Sequence, residues 1–400
     1  MTSNRILLLI SFFLTEFGRS MYFILVTWLL YTLTGDPLYT GLFISLGFLP
    51  GFILNLFFGV LVDRRDRKSL ALIANLTAVS SLLAATVLTQ FQLINPWILI
   101  TVHMILQTSG SLFRPAIQAF MAEAFPKAEL PAVFSQTGSA AIAGGLIGAA
   151  TGGILSSLLS LPISMLIATC CFGLALATLT QIKQISKSSL TKTTESPLKG
   201  LTDGFSYFKN NTYLFSLFSL MFTGQLVFHS TIGFMSVYTI EHLKQPIIVY
   251  GWLDATLACG GLIAGLLGGW WWKQTRLFTF YSLVFVLLGL ILLATTTMLT
   301  TAFLGVFLIG LGTTWVRVLL QSVQQMVTDP NYHGRMASYR MICNQGAVIV
   351  SGPILGLTAA NLGVNYIFLA LALPVLAVSG LAYKQIKQVW FKEVNNHYTG

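Results

Sequence analysis

Gly59-Val60-Leu61-Val62-Asp63-Arg64-Arg65-Asp66-Arg67-Lys68 is the one dense block of charge in the first third of the chain. An apolar run, Leu38 to Val62, leads into it, and another, Ser69 to Thr89, leads away. Each run is long enough to cross a hydrocarbon core as a helix, which takes about 20 residues. The charged block cannot sit in bulk lipid, so it reads as a short loop at one membrane face.

Composition carries that reading to the whole chain. Of 400 residues, 55% are hydrophobic and 8% are charged, where ordinary soluble domains carry about a quarter charged residues. A soluble enzyme is excluded. Lipid leaves the backbone only helices or closed barrels, and the runs here are continuous rather than alternating, which excludes a barrel. The fold class is therefore all-α integral membrane. Ile6 to Leu14 could imitate a secretion signal, but the apolar run continues to Leu33 without a small-residue cleavage site, so it reads as a first transmembrane helix. Twelve spans are expected, at residues 6–33, 38–62, 69–89, 96–121, 133–156, 161–182, 213–240, 248–272, 277–298, 302–327, 338–360 and 363–383. Turn chemistry separates them at Gly35-Asp36-Pro37, Asn95-Pro96, Pro126, Leu161-Pro162, Gln245-Pro246, Asp329-Pro330 and Asn361-Leu362-Gly363. Cys170, Cys171, Cys259 and Cys343 all fall inside apolar runs and read as small core residues, not as a disulfide or zinc framework.

The net charge of +10 is explained by its location. With both termini cytoplasmic, the loops and tails on that side hold Arg5, Arg64, Arg65, Arg67, Lys68 and most of the other basic residues, while the opposite face holds only Lys244. That asymmetry is the positive-inside pattern, facing an anionic leaflet. It predicts a multi-pass protein with both termini cytoplasmic and makes nucleic-acid binding unnecessary; the bacterial cell inner membrane is the expected location.

The longest polar segment, 183–212, divides the chain into six spans within 1–182 and six within 213–400. Leu198, Leu201, Phe205 and Phe208 recur at near-helical spacing, which predicts an amphipathic helix along the membrane face; a plain tether is the alternative. An internal repeat supports the division. Arg114-x-x-x-Gln118 followed by Pro126 matches Arg317-x-x-x-Gln321 followed by Pro330, and Gly148 to Gly153 matches Gly352 to Gly356. Gly59, Asp63 and Arg67 align with Gly268, Trp272 and Arg276, so the second copy lacks the acidic residue.

The pattern Gly59-x-Leu61-x-Asp63-Arg64-x-x-Arg67-Lys68 between the second and third spans resembles the loop signature of the major facilitator superfamily, with Asp66 where a second glycine is usual. Leu33-Thr-Gly35-Asp-Pro37, Arg114-Pro115-Ala-Ile-Gln118, the glycines of 144–153 and His333-Gly334-Arg335-Met336 make the chain most similar to the branch holding macrolide-efflux and enterobactin-export carriers; Ala149 stands where an exporter element carries proline. The resemblance implies two pseudo-symmetric six-helix bundles and a cavity lined by spans 1, 4, 7 and 10. It also implies that Asp63, with Gly59, Arg64, Arg67 and Lys68, acts as a gate latch joining span 2 to span 11, where Arg340 is a possible partner.

Ionisable residues within spans cost roughly 2.5–3.5 kcal/mol each on insertion scales, so each is a candidate for function. Glu16 and Arg19 share a face of span 1: either they neutralise each other, or Glu16 exchanges a proton under the influence of Arg19. Arg114 with Gln118 and Arg317 with Gln321 either snorkel to the interface or present guanidinium to a carboxylate or phosphate. Asp254 in span 8 carries protons, pairs with a cavity arginine, or is hydrated near the interface. His229 in span 7 is either hydrogen-bonded within the core or a substrate and proton contact. Glycines 138, 144, 145, 148, 152 and 153 allow close helix packing. Trp270-Trp271-Trp272 reads as an aromatic interface anchor. No nucleotide-binding loop, zinc spacing or nucleophile motif is visible, so no cofactor, metal or enzymatic activity is expected and a gradient must supply the energy.

These residues predict a monomeric, proton-driven antiporter that exports a small organic molecule, siderophore-like or an amphipathic or anionic drug. The same fold run inward as an uptake carrier, and a transport-inactive membrane sensor, are the alternatives. The expected partners are the substrate, protons and the lipid bilayer.

Overall fold

The computed structural model describes residues 2–126, 128–183, 207–209, 211–274, 278–329 and 332–385. Among these, twelve long α-helices follow one another: α1 (Thr2–Thr34), α2 (Pro37–Arg64), α3 (Arg67–Gln90), α4 (Pro96–Ala124), α5 (Leu130–Leu158), α6 (Leu161–Gln181), α7 (Thr212–Val237), α8 (Ile247–Gln274), α9 (Phe278–Thr295), α10 (Leu299–Val327), α11 (His333–Leu362) and α12 (Asn365–Gln385). Eleven are long and apolar enough to cross a membrane. The exception is α4, whose middle carries His103, Gln107, Thr108, Ser109, Ser111, Arg114 and Gln118.

The breaks follow from local chemistry. Gly35 takes φ +62°, a left-handed conformation that suits glycine. Asp36 then caps α2 by accepting from Leu38 N at 2.8 Å, with Pro37 at the first helical position, where its missing N–H costs nothing. Asn95 and Pro96 repeat the device for α4, the carboxamide oxygen accepting from Ile98 N at 3.0 Å. Helix α11 ends at Gly363, φ +108°, whose N–H donates to Ala359 O. Helix α7 departs from the expected 213–240: its end widens into a π-turn, Tyr238–His242. The wider turn sets His242 Nε2 to donate to the Thr296 carbonyl at 2.8 Å, with the His242 ring stacked on Tyr238.

The helices gather into two compact units. One holds α1 to α6 with Gln245–Ala255; the other holds α7 and the chain from Thr256 onward. In the first, α1 packs on α5 and α6, α2 on α4, and α3 on α4 and α6. In the second, α7 packs on α11 and α12, and α9 on α10 and α12. Gly260 brings α8 onto α10, because a Cβ there would strike the Phe307 carbonyl. The scheme of the first six helices therefore recurs in the second six. The α1–α5 seam is the tightest reading of the glycine stripe: a Cβ at Gly144 or Gly148 would collide with the carbonyls of Phe13 and Phe17. Gly138 has no neighbour of that kind.

Most of the expected amphipathic segment, including Leu198, Leu201 and Phe205, lies outside the described residues. Phe208 meets Phe218 of α7 edge-on at 5.2 Å, and Tyr207 stacks on Tyr332 at 4.2 Å. The tryptophan run splits its roles. Trp270 is exposed, whereas Trp272 is buried and stacks on Phe278 at 4.6 Å.

Candidate functional site

The charged block turns the corner between α2 and α3. Arg64 is the exposed last residue of α2, and Arg65 N–H donates to Leu61 O at 3.0 Å. Asp66 is the N-cap of α3, accepting from Ser69 N at 2.8 Å, so the residue standing in for the usual glycine starts a helix. Arg67 donates from Nη1 to Glu123 Oε1 of α4 at 2.8 Å. Their side chains are 16% and 7% exposed, so this ion pair is largely removed from water. Lys68 Nζ donates to the carbonyls of Thr180 and Ile182, both at 2.8 Å, placing a cation on the C-terminal end of α6. At the same end, the Asn4 carboxamide donates to Lys183 O at 2.8 Å and accepts from Lys183 N at 3.1 Å. Gly59 is exposed with open space beside it. The side chains of Asp63, His333 and Arg335 lie outside the described residues.

Within the helices of the first unit, Glu16 and Arg19 are brought together: Arg19 Nη1 lies 3.1 Å from Glu16 Oε1, with both side chains 28% exposed. Arg114 and Gln118 are exposed on α4. Asp254 is half-buried on α8. One turn before it, the fully buried Tyr250 shares a 2.7 Å hydrogen bond with Thr27 of α1 and lies against Trp28.

In the second unit, the guanidinium of Arg317 on α10 lies over the Phe228 ring of α7, 5.8 Å from its centroid. That distance is within cation–π range. His229 meets the same ring edge-on at 5.5 Å. Gln321 follows Arg317 by one turn and is half-buried. Among the described residues Arg317 has no ion-pair partner. Arg340 on α11 donates from Nη1 to Gln324 Oε1 of α10 at 2.9 Å. No group of three His, Cys, Asp or Glu among the described residues could hold a metal ion.

Sequence reasoning missed Glu123, Phe228 and Tyr250. Glu123 carried a usable signal: it is an acidic residue ending an apolar span, three residues before Pro126, on a face otherwise rich in cations. Phe228 and Tyr250 carried none, because an aromatic residue in an apolar run is ordinary.

Comparison with known proteins fits this geometry. The family described as Major Facilitator Superfamily matches residues 8–352. Macrolide efflux protein A of Streptococcus pyogenes is 23% identical over 368 residues, covering 86% of this chain and 87% of that one. Among solved structures, a point variant of the nucleoside transporter NupG superimposes with a TM-score of 0.81 at 16% identity, over 95% of this chain and 99% of that one. A bacterial homologue of the iron transporter ferroportin gives a TM-score of 0.73 at 16% identity, over 97% and 100%. At these identities the structures show the fold alone. With the family match spanning most of its length and the twelve-helix repeat in place, this chain belongs to the major facilitator superfamily: a multi-pass membrane transporter, not an enzyme.

Proposed function

We propose that the protein is a proton-coupled antiporter that exports a small anionic or oxygen-rich organic molecule from the bacterial cytoplasm by alternating access. The observation that carries this reading is Arg317. A guanidinium with no carboxylate partner among the described residues, set over the Phe228 ring and beside His229, is suited to a carboxylate or phosphate attached to an apolar or aromatic body. Arg114, Gln118 and Gln321 extend the polar lining. Arg19, engaged by Glu16, becomes available when Glu16 takes a proton, which links substrate to coupling. Asp254 is the second proton-carrying candidate. Outward direction is supported by the similarity to Macrolide efflux protein A. The 59–68 corner is the gate, with Asp63 as its latch and Arg340 as the partner to test; both termini and this corner lie in the cytoplasm, and the protein works as a monomer.

Purified protein in liposomes tests the reading with two probes, an anionic catecholate chelator and a neutral macrolide. Flux should follow an imposed pH gradient. Arg317→Ala should lower catecholate flux about tenfold or more, since a hydrogen bond to a charged group is worth about 1.5–3 kcal/mol, and lower macrolide flux much less. Equal losses, or wild-type flux indifferent to the gradient, would refute it. Asp63→Asn should slow turnover while protein levels stay normal.

A further inference from the structure

His103 takes no part in the site described above. It lies in the first unit where α1, α2 and α4 meet, 4% exposed. Phe43 of α2 stacks on the imidazole at 3.8 Å, and Tyr22 and Phe23 of α1 lie at 6.2 and 6.0 Å. The α2 backbone presses on the ring as well, because a Cβ on Gly47 would overlap Cδ2 and Nε2. In this aromatic cage His103 Nδ1 has no hydrogen-bond partner among the described residues. Neither has the hydroxyl of Tyr22, 2% exposed, nor that of Thr40, fully buried one turn before Phe43. A position that only filled space would be served better by a phenyl ring, because an unpaired polar atom in a dry core is destabilising.

We propose that His103 is a proton-binding site, occupied in a second arrangement of the first unit in which α2 has withdrawn from the ring. The inference rests on the reading of the chain as a proton-coupled carrier, and it names a coupling group other than Glu16 and Asp254. An imidazolium donates from both nitrogens, and here Nδ1 faces no acceptor. Gly47 and Phe43 close the α2 side to water. Binding a proton therefore calls for α2 to move, and losing it lets α2 return, which ties helix position to protonation. The surrounding groups do not offset the charge. On α1, Tyr22 is neutral, and Arg19 and Glu16, one and two turns away, are paired with each other. On α2, the contacting stretch Phe43 to Gly47 has no titratable residue; Tyr39 lies edge-on to Trp97, and Asp36 caps the helix. On α4, Gln107 is one turn away and Arg114 three.

The test uses full-length protein in liposomes. Histidine labelled with nitrogen-15 is followed by solid-state NMR from pH 8 to pH 5, and spin labels on α2 and α4 report their separation. In the wild type the His103 signal, identified by its loss in His103→Gln, should gain a proton as the α2–α4 distance grows. His103→Phe, which keeps the stack, should hold the pH 8 distance throughout. Tyr22→Phe should shift the midpoint of the wild-type transition. A His103 ring that stays neutral across the range, or an unchanged pH response in His103→Phe, overturns the site. Flux that follows the pH gradient equally in wild type and His103→Phe defeats this inference alone. Wild-type flux indifferent to the gradient defeats the carrier reading beneath it.

Discussion

At the corner between α2 and α3 the first unit shows ionic contacts; on the helix ends that flank the repeat-related corner, α8 and α9, the described residues of the second pack ring on ring. Arg67 grips Glu123, Lys68 grips the end of α6, and Asp66 caps α3. In the second unit Trp271 stacks on Trp315 at 4.5 Å, Trp315 Nε1 donates to Ala264 O at 2.8 Å, and Trp272, aligned with Asp63, stacks on Phe278. The repeat thus keeps the helix scheme but not the contacts: the ionic ones run from α3 to α4 and α6, the ring ones from α8 to α9 and α10. Ion pairs and hydrogen bonds can change partners as helices shift. This difference is in keeping with the proposal above that the gate lies at the first corner.

The comparison breaks most visibly at Glu123. Glu123→Ala leaves Arg67 unpaired in a largely buried site and should cost about 3–5 kcal/mol, read as a fall in the thermal unfolding midpoint in detergent. A loss under 1 kcal/mol would show that the corner does not depend on this pair. Trp315→Phe keeps a ring against Trp271 but forfeits the bond to Ala264 O, an expected loss of about 1 kcal/mol that added salt should not change. Asp66→Ala removes a helix cap, for about 1 kcal/mol. The smallest effect is expected for Asp66→Gly, a few tenths of a kcal/mol, since it restores the residue usual in the family's loop. A large loss there would mean Asp66 does more than start α3.

Much of the fold could be read directly because its causes are local. Caps and turn residues at Gly35-Asp36-Pro37, Asn95-Pro96 and Gly363 mark helix ends within a few neighbours. Glu16 and Arg19 were legible as a pair because three residues of helix fix their geometry. Arg67 and Glu123 are 56 positions apart, and no local period relates them; only the packing of α3 on α4 does. The π-turn at Tyr238–His242 escaped for a similar reason, since it answers to Thr296 on another segment. That Arg317 has no ion-pair partner among the described residues, and that His103 is caged, depend on how each helix is rotated, which apolar runs do not encode.

Asn4 has a practical consequence for anyone dissecting the molecule. By gripping both backbone groups of Lys183, it staples the first turn of α1 to the chain just past α6. A fragment meant to isolate the first six helices should therefore retain both Asn4 and Lys183.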